Sequence, residues 1–404
     1  MKKIKRKMVA AVLISIFVTT ALAGCGSGDA GNSESAASNM SDEEKATAME
    51  EIESQLKDYT GSPAFVAGDF EKIDAKSILN GKKIYLICVD STNDYMLGIT
   101  ERYADLIEAI GGEATVYYAE NSNDTWITGM ETAIAQKYDA IDIVGGATID
   151  TLESVIKEAK NAGIYVQDTH SGDVSTTFTD DCSVGADFTK AQELVCLEAI
   201  KEVGDPADVN ALVVADVGLD NSDNPSREGV KNIFDKYGIK YTFADVAITD
   251  WTTSISEQVK TALINDPSIN VVLAYYDNML LYVTPALEEL GISNDDVVVG
   301  SFNGSPGILD LVKAGTVDFD LGESVGWIAA HALDCLMRGL DGKEPHTEIG
   351  TALYMVNKDN INDYINPEIG KGSYAYDGVT DIYLKGYSEL WGTDVTDAFK
   401  NSDK

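Results

Sequence analysis

The chain has 404 residues, 30 basic against 67 acidic, and a formal net charge of −37. Holding nucleic-acid phosphates takes clustered lysine and arginine, so nucleic acid is excluded as a partner. About 300 residues of regular strand-and-helix pattern exceed one ordinary domain and predict two lobes.

The chain opens on Lys2, Lys3, Lys5, Arg6 and Lys7, followed by an apolar run from Met8 to Leu22. A basic start and a short apolar run read as a secretory signal over residues 1–24, too short for a spanning helix. Leu22-Ala23-Gly24-Cys25 resembles a bacterial lipobox, which implies cleavage before Cys25 and lipidation of its thiol. Two or more acyl chains would then anchor the protein stably to the outer face of the cell membrane. Residues 25–60 follow as a flexible tether, because Gly, Ser, Ala, Asn and acids cannot build a core. A short helix is expected within it over Met49–Lys57.

From Lys82 the pattern is regular. Strands are predicted at Lys83–Asp90, Ala114–Ala119, Ala140–Val144 and Ile164–Gln167, alternating with helices over 97–110, 125–136 and 151–162. The alternation resumes after Gly185 with helices at 188–203, 227–237, 254–264 and 279–290. Strands lie between them at 211–215, 241–248 and 271–275. Asp296–Val312 then reads as strand, turn and helix: Val297 to Val299 suit a buried strand, and Ser305 with Pro306 can start the helix. A strand near 317–321, a helix over 325–340 and a strand near 351–356 complete the pattern. Such alternation means parallel sheets with helices on both faces, the α/β class. Residues 366–404 form an extension rich in Tyr and Trp, expected either to pack on a lobe or to serve a partner.

Ligands in open α/β sheets bind outside the carboxyl ends of the strands. Asn303 falls there, where an amide offers both a donor and an acceptor, though Asn also shapes turns. Cys88, Cys182, Cys196 and Cys335 have no metal-type spacing and read as small buried hydrophobes. There is no Gly-x-Ser-x-Gly, no metal-type His spacing and no phosphate loop, so the sequence speaks against an enzyme and names no cofactor or metal.

SFNGSPGILDLVKAGTVD resembles the late GFDG-type segment of type I periplasmic sugar-binding proteins, the solute receptors of ABC transporters. KIYLICVDSTNDYMLGITERYADLIEAIGG, YDAIDIVGGATIDTLESVIKEAKNAGIYV, VGADFTKAQELV and VVLAYYDNMLLYVTPALEELGI resemble further segments of that family, in the same order, over about Lys82 to Val356. The resemblance implies two Rossmann-like lobes joined by a three-segment hinge, residues 82–186 with 324–352 and residues 187–323 with 353–365. It implies a monomer that takes a neutral monosaccharide or related polyol between the lobes and docks on a membrane permease. A nucleoside or furanosyl signal remains open as the ligand. So does a sensor role toward a membrane kinase or chemoreceptor.

The family's motifs also imply ligand-binding residues. Asn93, Tyr95 and Met96 align with an Asn and two aromatics that embrace the sugar; Met96 departs from the pattern. The family's hydroxyl-chelating Asp falls on Asp168 or His170. Arg227 lies near the pocket arginine, one residue out of register against Gly229. Trp251 matches an aromatic stacking platform, Tyr276 stands where Asn is usual, Asn303 replaces an Asp, and Glu323 aligns with a Gln at a lobe crossing.

Overall fold

The computed structural model describes residues 40–67, 70–147, 149–172, 180–217, 220–345, 351–364 and 378–399. The expected signal segment and the Cys25 lipidation site lie outside the described residues. Two short segments precede the regular pattern, α1 (Asp42–Leu56) and α2 (Ala75–Leu79).

The first lobe is a five-stranded parallel sheet. Its strands are β1 (Lys83–Cys88), β2 (Glu113–Tyr118), β3 (Ala140–Val144), β4 (Tyr165–Ser171) and β5 (Cys182–Gly185), in the order β2-β1-β3-β4-β5. Ile84 of the central β1 pairs in register with Ala114 on one side and Ala140 on the other. Helices α3 (Asp94–Ile110), α4 (Asn123–Gln136) and α5 (Glu153–Asn161) connect these strands. The buried apolar residues of β1 and β3 explain the parallel arrangement, since such strands need cover on both faces. The short β5 has no matching expectation in the sequence.

The second lobe uses α6 (Phe188–Val203), β6 (Asn210–Asp216), α7 (Asp220–Lys236), β7 (Lys240–Val246), α8 (Trp251–Asn265), β8 (Val271–Ala274), α9 (Leu280–Glu289), β9 (Val298–Asn303), α10 (Pro306–Ala314) and β10 (Phe319–Glu323). The chain then forms α11 (Val325–Leu340), which packs against α3 of the first lobe, and returns as β11 (Leu353–Asn357). The second sheet runs β11-β10-β9-β8-β6-β7, with only β11 antiparallel. Gly300 on β9 is required by packing, because a Cβ there would overlap the Phe319 ring of β10. The expected α/β class and two-lobed architecture are both present.

Residues 40–60 correct the tether expectation over that stretch: the helix expected at Met49–Lys57 is present but begins earlier, at Asp42. Ser41 starts α1 with a reciprocal cap, its backbone N–H donating to Glu44 Oε2 at 2.7 Å. Ala48, Ile52 and Leu56 recur every four residues and are buried, and α1 lies on α6 of the second lobe. Lys45–Asp205 at 2.9 Å and Lys236–Glu51 at 2.8 Å fasten its edges. The polar composition concealed a sparse apolar stripe, which suffices once a neighbouring helix covers it.

The chain then crosses to the first lobe. The Phe65 ring packs 4.8 Å from Tyr387 and 6.0 Å from Trp327, and Ile73 N–H donates to the Leu390 carbonyl at 2.9 Å. Tyr387 and Leu390 belong to α12 (Thr380–Trp391), whose Tyr383, Tyr387 and Trp391 are buried against α11. Trp391 Nε1–H donates to Asp334 Oδ1 at 2.8 Å. Arg338 holds Asp334 at 2.8 Å and donates to the Glu71 carbonyl at 3.0 Å. The extension's open role is thereby narrowed: its described part packs on the first lobe, and the two terminal segments clasp each other there.

Candidate functional site

One cavity gathers residues from the carboxyl ends of strands in both sheets. Asn93, Tyr95 and Met96 follow β1, Gly145 and Gly146 follow β3, and His170 and Gly172 come from the end of β4. From the second lobe come Asp216 at the end of β6, Ser222 on α7, Ile248 and Trp251 after β7, Tyr276 and Asn278 after β8, and Asn303 at the end of β9. Phe188, at the crossing between lobes, closes the lining. The empty space is about 580 Å³, part of it open to solvent.

Asn93 caps α3: its Oδ1 accepts from the backbone of Tyr95 at 3.0 Å and Met96 at 3.2 Å. The cap leaves its amide nitrogen as a donor. Met96 lies against Gly145, where a Cβ would meet the Val89 and Met96 side chains. Gly145 has φ +116°, so glycine meets both the backbone and the packing demand there.

His170 and Asp168 are separated by a break in the strand. The pairing of β4 with β5 shifts register between Thr169 and Ser171, and His170 adopts φ +61°. This turn brings the His170 ring to the cavity, with edge-on contacts at 5.5 Å to Tyr95 and 5.7 Å to Phe188. Asp168 does not line the cavity. It is buried, accepts from Ser171 Oγ and from Ser183 Oγ at 3.0 Å, and burial raises its carboxyl above the ordinary value. Of the two alternatives, the structure places His170 at the cavity.

Glu323 does not offer free carboxylate oxygens to a ligand. It is buried at the passage from β10 to α11, with Oε2 accepting from Tyr95 at 3.4 Å and lying 3.2 Å from His170 Nε2. Thr351 Oγ1 donates to Oε1. Glu323 therefore braces two cavity side chains from behind, because the lobe crossing points its side chain into the first lobe.

Arg227 is also turned away. It donates to Asp223 at 3.2 Å and Asp245 at 2.9 Å, and its guanidinium lies 4.2 Å from the centre of the Phe243 ring. The reason is the seating of α7. A Cβ at Gly229 would run into the Thr189 carbonyl, so Gly229 must face α6. Arg227, two positions earlier, then lies about 200° around the helix.

Trp251 and Tyr276 line the cavity as tilted neighbours with centroids 6.2 Å apart. The Tyr276 hydroxyl bonds to Ser222, and burial raises its pKa. Asn303 has φ +145°, rare for a side-chain-bearing residue. Its side chain bonds to Asp277, while its Oδ1 has no hydrogen-bond partner among the described residues. Ser305 does not cap α10 with its side chain as expected. Its N–H and Oγ–H donate instead to Asp277, at 2.6 and 3.0 Å. Burial pushes Asp277 up to about 6, and burial together with Asp277 raises Asp320 well above the ordinary value. These acids lie beneath the Asn303 turn, with Gly304 N–H donating to Asp320 at 2.8 Å.

The cavity thus unites Asn93, Tyr95, Met96, His170, Trp251, Tyr276 and Asn303, and leaves out Asp168, Arg227 and Glu323. Asp216, Ser222, Asn278 and Phe188 were not singled out from sequence. Asp216 carried a usable signal, an acid closing the apolar run of β6 at its carboxyl end. No group of His, Cys, Asp or Glu suited to a metal ion occurs among the described residues.

Residues 84–344 match the model of a family described as periplasmic binding protein domain. No curated protein matches the chain in sequence. A solved ABC transporter solute binding protein from Agrobacterium vitis with bound allitol is similar with TM-score 0.60 and 21% identity, covering 70% of this chain and 98% of that one. A periplasmic solute binding protein from Actinobacillus succinogenes with bound D-allose is similar with TM-score 0.61 and 21% identity, covering 70% and 100%. The Caulobacter myo-inositol binding protein with bound myo-inositol gives TM-score 0.60 and 16% identity, covering 73% and 98%. At these identities the likeness is one of fold.

Proposed function

The chain belongs to the periplasmic binding protein domain family over residues 84–344, and we propose that it is the solute-binding receptor of an ABC importer, taking a monosaccharide or related polyol between its lobes. The observation that carries this reading is the origin of the lining: each sheet contributes the carboxyl ends of several strands to one cavity. A ligand touching both sets binds the closed arrangement better than the open one, and shifts the equilibrium by that difference. The closed form then docks on a membrane permease.

Within the cavity, Trp251 and Tyr276 offer flat apolar surface to the C–H face of a sugar ring. Asn93, Ser222, Asn278, Asn303 and Asp216 supply donors and acceptors around it. The titratable groups fit binding without a chemical step: the raised acids Asp277 and Asp320 are tied to Ser305, Ser301 and Gly304. Cys25 would hold the receptor at the outer face of the membrane as a monomer.

A thermal-shift screen of the protein against hexoses, pentoses, hexitols and inositols tests the proposal. Ligand at 100 times its Kd adds about 2.7 kcal/mol and raises the midpoint visibly. A shift that Trp251→Ala clearly reduces supports the reading. Absence of any shift across the panel contradicts it.

A further inference from the structure

The lobes are joined where β5 leads into α6 and where β10 leads into α11. A further crossing, made by the N-terminal segment, runs beside these joints. On the second lobe, α1 is held by buried Ile52 and Leu56 and by the Lys45–Asp205 and Lys236–Glu51 pairs. Tyr59 follows, with Lys190 Nζ 5.7 Å from its ring centre. The Gly61 carbonyl then accepts from the Tyr364 hydroxyl at 3.4 Å, and Tyr364 stacks at 4.8 Å on Tyr354 of β11. The next attachment is on the first lobe, where Phe65 meets Trp327 and Tyr387. Gly386 of α12 makes room for it, since a Cβ there would overlap the Phe65 ring. The Glu71 carbonyl and Ile73 N–H extend the hold to α11 and α12. Lys190 lies in the first turn of α6 and Trp327 in the first turn of α11, so the crossing sits at the joints themselves.

Only Ser62, Pro63 and Ala64 separate the two attachments. From Gly61 to Phe65 the chain can span at most about 14 Å. Pro63 fixes its own φ and keeps Ser62 extended, so little slack is stored there. Opening the lobes moves the two attachments relative to each other, and a short stiff segment docked at both ends limits that movement. The family match begins at residue 84, so this segment lies outside the matched domain. We propose that residues 57–65 are a strap across the hinge that restricts how far the ligand-free protein opens. A narrower range of open arrangements leaves a larger fraction ready to close, and apparent affinity rises with that fraction. The proposal rests on the receptor reading for its ligand, and goes beyond it by giving a part in binding to a segment that does not line the cavity.

The test is full-length protein with a flexible Gly-Ser insertion of about eight residues between Ser62 and Pro63. Both attachments stay and only slack is added. Small-angle X-ray scattering of the ligand-free protein should give a larger radius of gyration than wild type. The binding probe is the member of the hexose, pentose, hexitol and inositol panel with the largest thermal shift. Calorimetry should find it bound about threefold or more weaker by the lengthened protein, and the bound dimensions should match those of wild type. Ile52→Asp, which unseats α1 from α6, should act in the same direction from the other end. Unchanged ligand-free dimensions overturn the strap. Unchanged or tighter binding by the lengthened protein overturns its effect on the cavity. If no panel member binds wild type, the receptor reading fails, while scattering of the ligand-free proteins still decides whether the segment limits opening. The insertion displaces no buried side chain, so the test stands even if Ile52→Asp does not fold.

Discussion

Two aromatic clusters on opposite duties divide this molecule. One lines the cavity, with Tyr95, His170, Phe188, Tyr276 and Trp251; the other joins the terminal segments on the first lobe, with Phe65, Trp327, Tyr383, Tyr387 and Trp391. The cavity contains one buried tryptophan and the clasp two, and each cluster has one whose indole N–H finds no partner among the described residues, Trp251 and Trp327, while the clasp adds one that is paired. Trp391 Nε1 donates to Asp334, which Arg338 also holds. The backbones differ as well. The clasp stands on the regular helices α11 and α12, whereas two of the three non-glycine residues with positive φ among the described residues, His170 and Asn303, line the cavity. Strained backbone costs stability, and folds retain it at sites of function.

The largest test of this contrast is Trp391→Ala. It removes a fully buried ring and a bond to a buried carboxylate, and should cost about 3 to 5 kcal/mol of stability in denaturant unfolding. Ligand affinity of the molecules that remain folded should be unchanged. A large loss of affinity would mean that clasp and cavity are one unit.

The next effect is on pH. Asp277 has a folded-state pKa of about 6 against 3.8 for the free group. The folded state therefore holds the proton that the unfolded chain releases, and stability falls as pH rises from about 4 to about 6. Burial of Asp320 acts with the same sign. The loss should be about 2 to 3 kcal/mol, and Asp277→Asn should flatten the slope in unfolding curves measured across that window. An unchanged slope would remove Asp277 as its source.

Trp251→Ala comes third. It should weaken ligand binding by about tenfold or more, near 1.4 kcal/mol, measured by calorimetry. The smallest effect belongs to Glu323→Gln, which keeps the shape of the brace but removes its charge. It should weaken binding by about 0.5 to 1 kcal/mol through looser seating of His170 and Tyr95. No change at all would mean that the brace serves the lobe crossing alone.

The two regions were unequally legible in sequence. The alternation of strands and helices was plain because parallel strands are continuous apolar runs, as in Val297 to Val299. Trp251 and Asn303 could be placed because each follows such a run closely. The clasp was hidden, since Phe65 and Trp391 are far apart in the chain and have no periodic relation; only packing on α11 unites them. Asp168 and His170 could not be separated by alternation, because the register shift at Thr169 and Ser171 is a tertiary event. Arg227 was misplaced for a similar reason: its direction depends on which face Gly229 must give to α6.

The most direct test of the account is hydrogen exchange with and without the sugar or polyol giving the largest thermal shift. The account predicts joint protection of segments 93–97, 168–172, 216–224, 248–253, 275–280 and 301–305, drawn from both lobes. Protection confined to one lobe, or to the outer face around α1 and α12, would contradict a ligand held between them.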